Sequence, residues 1–151
     1  MTRFAQGTFV PRNPDKYVGR GHPRYRSSWE NSFFRFCDEN PAVLQWASEA
    51  VSIKYRHPLT HRVTNYVPDI FMRYRDQHGT VHTEIIEIKP RKQSVIEGRM
   101  TERDRIIVAI NQAKWQAARA FCQKNSLVFR VLTEDQMFRK PTGSKKINKT
   151  Y

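Results

Sequence analysis

Asp69 and the run Glu87-Ile88-Lys89 are side chains whose types and spacing suit phosphodiester hydrolysis. Asp69 and Glu87 are equally distant from position 78. If the chain forms a hairpin centred there, the two become cross-strand neighbours with Cβ atoms about 5 Å apart. Glu87 and Lys89 are two residues apart, so they share one face of a strand. A regular hairpin therefore gathers two carboxylates and one ammonium group.

Adjacent carboxylates repel each other, and without compensation one of them takes up a proton. A divalent cation removes this repulsion, and oxygen ligands suit Mg²⁺. Mg²⁺ lowers the pKa of a water that it binds and neutralises charge on a phosphate. A nearby lysine stabilises the transition state of attack at phosphorus. The residues therefore predict a Mg²⁺ site, with Mn²⁺ as a substitute. The alternative is a surface ladder of ion pairs.

The hairpin that must position these groups is predicted by two β-rich runs, residues 66–75 and 80–89. Between them, residues 76–79 end in Gly79, which suits the left-handed position of a short hairpin loop. Apolar residues flank both acids, so we expect the carboxylates to lie beside a core. Pro68 marks an edge or a bulge, where active sites are often found.

A helix is predicted to begin at residue 27 or 28 and to end at residues 40–41. Ser27 and Glu30 have the spacing of a capping box. Glu30 has two interpretations of equal weight: a third carboxylate for the site, or only the capping partner of Ser27. The apolar stripe of this helix is Trp29, Phe33 and Phe36.

The remaining elements complete an α/β fold: a single domain with a mixed central β-sheet flanked by helices. Asn111 and Lys114 lie one turn apart on the predicted long helix, where they face the substrate or simply form its polar side. The predicted segments are strands within 42–56, a polar loop over 58–65, a polar stretch over 91–100, a helix over 102–124 and a strand over 127–132.

The charge of the chain points to a polyanionic partner, because 27 Lys and Arg oppose 14 acids, for a net +13. The excess is concentrated in a basic N-terminal arm, residues 1–26, and a basic mobile tail, residues 139–151, around a catalytic core over 27–138. Such arms contact the DNA backbone without reading sequence; solvated ends are the alternative. The residues predicted to contact nucleic acid are Arg26, Arg91, Lys92, Lys114, Asn111, Lys145 and Lys146.

Other classes of protein are disfavoured by the sequence. Two cysteines, Cys37 and Cys122, make neither a disulfide framework nor a four-ligand zinc site, so we expect reduced thiols. No apolar run approaches the roughly 20 residues of a membrane span, and residues 1–10 hold no signal-peptide core. We expect a cytoplasmic protein with no membrane partner.

The spacing of Asp69 and Glu87-Ile88-Lys89 resembles the PD-(D/E)xK nuclease superfamily, which also carries an upstream helical acid, as at Glu30. Over residues 10–135 the chain is similar to the head completion nucleases of T-even-like tailed bacteriophages, and its core pattern to TnsA-type transposon-end nucleases. The matching blocks are Val10-Pro11, Lys16-Tyr17-Val18-Gly19, Tyr25-Arg26-Ser27-Ser28-Trp29-Glu30, Glu87-Ile88-Lys89-Pro90, Lys114-Trp115-Gln116-Ala117-Ala118 and Phe129-Arg130-Val131-Leu132-Thr133-Glu134.

The resemblance implies a restriction-endonuclease-like fold and a role for each site residue. Asp69 and Glu87 become metal ligands, the carbonyl of Ile88 completes the coordination, Lys89 is the catalytic lysine and Glu30 the helical acid. Asn111 and Lys114 are weaker assignments.

The resemblance also implies a function: a metal-dependent deoxyribonuclease that acts on double-stranded DNA after packaging, so that the filled head joins the tail. Its expected partners are phage head or portal and neck proteins, and its expected location is the host cytoplasm or the virion. Two alternatives stay open. One is a non-catalytic DNA-binding protein that completes the head. The other is a transposon-end or repair nuclease of the same fold.

Overall fold

Five consecutive strands lie between the two long helices in the computed structural model, which describes residues 6–137. The helices are α1 (Ser28–Glu39), α2 (Glu102–Lys124) and the short α3 (Glu134–Met137), with 3-10 turns at Pro14–Lys16 and Arg91–Gln93. The strands are β1 (Gly7–Thr8), β2 (Arg24–Tyr25), β3 (Val43–Ser48), β4 (Ile53–Arg56), β5 (Val63–Tyr66), β6 (Ile70–Arg75), β7 (Val81–Ile88) and β8 (Val128–Leu132).

A four-stranded sheet of order β3-β6-β7-β8 forms the centre of the fold. The first two pairings are antiparallel and β7 pairs with β8 in parallel, so the sheet is mixed. Ile70 lies opposite Ile86 in the β6–β7 hairpin, a register centred on position 78. Gly79 takes the left-handed conformation in the loop, with φ of 84°. The predicted fold class, the hairpin and its register are confirmed.

Successive side chains of a strand point to opposite faces of the sheet. Apolar residues occupy both sets, so both faces of this sheet are covered by a core. On one face, α1 packs against the even-numbered residues of β6 and β7. On the other, α2 and the β4–β5 pair form a second core. The first core includes Trp29, Phe33, Phe34, Trp46, Ile70, Met72, Ile86, Ile88 and Leu132, and the second Ile53, Tyr55, Tyr66, Trp115 and Ala118.

The two long helices begin and end where the sequence predicts. The Ser27 hydroxyl accepts a hydrogen bond from the backbone amide of Glu30 at 3.2 Å, which caps α1. Thr101 caps α2 in the same way, by accepting from the amide of Asp104 at 3.1 Å. At the other end of α2, the side-chain amide of Asn125 donates to the Phe121 carbonyl. Within the described residues, no helix is long and apolar enough to cross a membrane.

Two predicted segments are wrong in their boundaries. Residues 66–75 are not one strand, because residues 67–69 separate β5 from β6 and the chain passes there from one sheet to another. Pro68 lacks the amide hydrogen that a continuous ladder needs. Residues 58–65 are not all loop, since β5 pairs with β4 from Val63. The first three residues of β5 are exposed, so no alternating pattern marks this strand.

The N-terminal segment, described from residue 6, is bound to the body rather than lying apart from it. The buried carboxylate of Asp38 accepts from the backbone amides of Arg12 and Asn13, each at 2.9 Å. The rings of Phe9 and Tyr17 make edge contacts with Trp46. Residues 6–26 are therefore part of the folded domain. The predicted tail over 139–151 lies outside the described residues.

Replacing Asp38 with Ala should lower the free energy of unfolding by about 2 kcal/mol or more, because it leaves two amide donors without their acceptor. Urea denaturation followed by circular dichroism measures the change. The matched control is Asp15→Ala, which removes an exposed carboxylate from the same N-terminal region. Equal losses in both variants would contradict the role of Asp38 as the anchor.

Candidate active site

The two predicted carboxylates lie at the same end of the central sheet. The β6–β7 ladder ends with Ile70 opposite Ile86, so Asp69 and Glu87 occupy the next position of the same register. The Oδ2 atom of Asp69 accepts a hydrogen bond of 2.8 Å from the backbone amide of Ile88. This bond fixes the segment before β6 against the end of β7, and brings Asp69 beside Glu87.

Glu87 is buried, with both carboxylate oxygens in contact with a polar side chain. Its Oε1 accepts from the Tyr66 hydroxyl at 2.8 Å, and its Oε2 lies 3.4 Å from the Lys89 ammonium. Burial and the negative charge of Glu87 raise the pKa of the Tyr66 hydroxyl, which therefore stays protonated as a donor. Glu87 is held in one orientation by groups from two strands.

Burial, and then the charge of Glu87, raise the pKa of Asp69 well above its ordinary value. Glu30 raises it further, while the Ile88 amide and the Lys89 ammonium oppose the shift. The Ile88 amide and the Lys89 ammonium do not offset the effects of burial and of the neighbouring carboxylates, so the net shift in the pKa of Asp69 is upward. The pair accordingly favours a bound proton or a bound cation.

Glu30 fits both interpretations that the sequence left open, the capping partner of Ser27 and a carboxylate near the site. Its amide is capped by Ser27, while its Oε1 accepts from the backbone amide of Arg26 at 2.6 Å. The side chain also lines the same cleft as Asp69. Burial raises the pKa of Glu30, with smaller contributions from Glu49 and Glu87 in the same direction. Glu30 therefore orders the start of α1 and adds negative potential to the site.

An open cleft of about 240 Å³ gives access to these groups. A larger cleft of about 710 Å³ adjoins it, and Arg26 lines both. The Arg26 guanidinium lies 2.7 Å from the Glu49 carboxylate, a contact that no local pattern predicts. The smaller cleft is lined by Arg26, Ser27, Glu30, Asp69, Ile88, Lys89, Pro90 and Gln93.

Lys114 and Asn111 of α2 contact the site in different ways. The Lys114 ammonium lies over the Tyr66 ring, 5.6 Å from its centroid, on the side from which Tyr66 holds Glu87. Burial, and then the charge of Lys89, lower the pKa of Lys114. Asn111 is buried and donates to the Gln93 carbonyl at 2.9 Å, so it supports a residue of the cleft wall.

The remaining predicted DNA contacts lie at the rim or beyond the described residues. Arg91 pairs with Glu97 at 2.8 Å and with Asp135 at 3.3 Å, so its charge is largely compensated. Lys92 is exposed beside it. Lys145 and Lys146 lie outside the described residues, and their assignment stays a prediction.

The chemistry of the donors fits a hard divalent cation, because the buried Glu87 and the partly buried Asp69 share one end of the sheet with a single lysine. Within residues 6–137, no three or more His, Cys, Asp or Glu side chains are arranged to hold a metal ion. A cation at this site would have Asp69 and Glu87 as its side-chain ligands, and backbone oxygen such as the Ile88 carbonyl, or water, would complete its coordination.

Tyr66 is the residue of this site that sequence reasoning missed. It belongs to β5, outside the central sheet, and only the tertiary fold brings its hydroxyl to Glu87. A tyrosine two residues before a proline carries no pattern that distinguishes it from a core residue. Gln93 was missed for the same reason.

The mixed sheet, the paired carboxylates and the adjacent lysine define a nuclease of the PD-(D/E)xK type. The chain belongs to the TnsA-like endonuclease N-terminal family, whose model matches residues 40–134. It is also 35 % identical over 142 residues to the head completion nuclease of Enterobacteria phage T4, an alignment that covers 85 % of this chain and 91 % of that protein. These matches confirm the resemblance drawn from the sequence.

Replacing Asp69 with Asn should stabilise the metal-free protein at neutral pH. Because the folded-state pKa lies above the ordinary value of 3.8, the stability that Asp69 contributes is present below pH 3.8 and is lost as the pH rises through the raised pKa. An asparagine keeps an oxygen that accepts from the Ile88 amide. Melting temperatures in EDTA should be higher for the variant at neutral pH and should converge with wild type on acidification. A difference that is constant with pH would contradict the raised pKa.

Proposed function

We propose that this protein is a Mg²⁺-dependent deoxyribonuclease that acts in phage head completion. The observation that carries the proposal is the partly buried Asp69 beside the buried Glu87, with Lys89 paired to Glu87 and lining the same open cleft as Asp69. The name of the phage T4 relative supports the role in head completion. The family match supports the nuclease chemistry.

Asp69, Glu87 and the Ile88 carbonyl would hold Mg²⁺, or Mn²⁺ in its place. When bound, the cation supplies Lewis-acid stabilisation of charge on the scissile phosphate and a more acidic water. The protein contributes the fixed orientation of the carboxylates. Tyr66 and Lys89 restrain Glu87, and the Ile88 amide restrains Asp69.

Lys89 directs its ammonium group at the same space. It is anchored by Glu87 at 3.4 Å, yet 28 % of its side chain stays exposed. An ammonium in this position donates hydrogen bonds to the non-bridging oxygens of a phosphate, where negative charge grows in the transition state. It also orients the water that attacks phosphorus in line. Glu30 supports this geometry from α1 by holding the Arg26 backbone.

The DNA backbone is held by cations around the two clefts. Arg26 lines both clefts, Lys92 is exposed next to the cleft residue Gln93, and the Lys114 ammonium lies over the Tyr66 ring. Contacts of this kind bind any sequence and give affinity that falls as salt rises. Cleavage without sequence preference suits a protein that acts on packaged DNA, in the host cytoplasm or on the virion next to head or portal and neck proteins.

Supercoiled plasmid incubated with the protein tests the activity directly. We expect nicked or linear DNA with Mg²⁺ or Mn²⁺, and intact plasmid with EDTA. Binding without cleavage in all three conditions would instead support the non-catalytic head-completion protein. Cleavage confined to particular sequences would support a transposon-end or repair nuclease.

Lys89→Ala should lower the single-turnover cleavage rate by about 100-fold or more, because it removes a donor that acts in the transition state. DNA affinity should change little, since the variant loses one charge of a net +13. Lys124→Ala is the matched control, as it removes an exposed lysine at the end of α2. Wild-type rates in the Lys89 variant would eliminate the proposed mechanism.

A further inference from the structure

Strands β4 and β5 form a two-stranded ribbon that is separate from the central sheet. Four residue pairs join the strands, from Ile53–Tyr66 at the base to Arg56–Val63 near the tip. The inner side chains of the ribbon, Ile53, Tyr55 and Tyr66, are buried against α2. The outer side chains and residues 59–62 at the tip are exposed. The ribbon thus has one face fixed to the body and one face open.

The open face carries positive charge and no acid. Residues 50–68 contain Lys54, Arg56 and Arg62 but neither Asp nor Glu. All three cations are exposed, and within residues 6–137 no carboxylate lies within ion-pair distance of them. In contrast, Arg26, Lys89, Arg91 and Arg130 each pair with an acid. The ribbon therefore concentrates uncompensated charge.

Internal hydrogen bonds give the ribbon tip a defined shape. The Arg56 guanidinium donates to the His61 carbonyl at 2.6 Å, and the Nδ1 of His57 accepts from the Leu59 amide at 3.1 Å. The His57 amide donates to the Arg62 carbonyl at 2.9 Å. An ordered tip presents its cations at fixed positions, which lowers the entropy lost on binding.

The ribbon is also connected to the catalytic end of the sheet. Tyr66 of β5 donates to Glu87, and the Lys114 ammonium lies over the rings of both Tyr55 and Tyr66. The base of the ribbon, at the Ile53–Tyr66 pair, therefore lies beside the two carboxylates. The charge of the face is complementary to a phosphate backbone, and a two-stranded ribbon has the width to enter the major groove of a duplex.

We propose that the β4–β5 ribbon docks duplex DNA, through phosphate contacts of Lys54, Arg56 and Arg62, beside the cleft that holds the scissile phosphate. This inference rests on the proposed function for its choice of partner. It assigns a binding role to a segment that the sequence predicts to be partly loop. It also provides a reason for a strand whose outer face, with Val63 and Asn65, is left exposed.

The test compares two triple variants that remove equal charge. In the ribbon variant, Lys54, Arg56 and Arg62 become Gln. In the control variant, Arg35, Arg75 and Lys124, which are exposed on other elements, become Gln. Affinity for a fluorescein-labelled duplex is measured by anisotropy in EDTA over a range of salt concentrations. Melting temperatures establish that both variants are folded.

We expect the ribbon variant to bind about tenfold or more weakly than the control. The slope of log affinity against log salt should become shallower by about 2.7, at about 0.9 for each of three phosphate contacts. Equal affinities and slopes in the two variants would overturn the proposal. If the ribbon variant melts far below the control, the single variants Lys54→Gln and Arg62→Gln are measured instead. Each of them should reduce the slope by about 0.9.

Binding in EDTA separates this inference from the proposed nuclease activity. A wild-type protein that fails to cleave with Mg²⁺, while the ribbon variant still loses affinity, would reject the nuclease and retain the docking surface. A protein that cleaves, and whose ribbon variant binds as the control does, would reject the docking surface alone.

Discussion

Two carboxylates held side by side at the edge of a core are the constraint on which this structure depends. The position of Asp69 is unfavourable for its charge, because burial and the negative charge of Glu87 both oppose it. The carboxylate oxygens of the pair contact Tyr66, Lys89 and the Ile88 amide. These contacts do not neutralise the negative charge of both carboxylates. The remainder of the fold, with an apolar core on each face of the sheet, offsets this local cost. Such local conflicts are typical of functional sites.

The site is distributed over more of the chain than the conserved family model covers. That model matches residues 40–134, and therefore leaves out α1 with Glu30. Yet α1 supplies the buried aromatic residues Trp29, Phe33 and Phe34, and its Asp38 anchors the segment before it. The helix is thus both a wall of the cleft and a large part of one core. A fragment limited to residues 40–134 would expose the face of the sheet on which α1 packs.

The sequence predicts those features that local patterns encode. Alternating strands and the Gly79 turn predict the hairpin and its register, and that register is sufficient to place Asp69 beside Glu87. Capping residues predict the ends of α1 and α2. The ribbon could not be predicted in the same way, because the exposed residues of β5 show no apolar alternation. The contact between Tyr66 and Glu87 joins two separate sheets, so only the tertiary fold reveals it.

The parallel pairing of β7 with β8 has a consequence for the order of folding. The β6–β7 hairpin is local in sequence and can form early, whereas β8 reaches β7 only after α2 has crossed the sheet. The backbone amide of Lys89 donates to the Leu132 carbonyl of β8 at 2.9 Å. The two carboxylates therefore come together in a nascent hairpin, but the lysine is fixed only when this long-range closure is complete. During synthesis, β8 is the last strand of residues 6–137 to leave the ribosome, and its arrival fixes the backbone at Lys89.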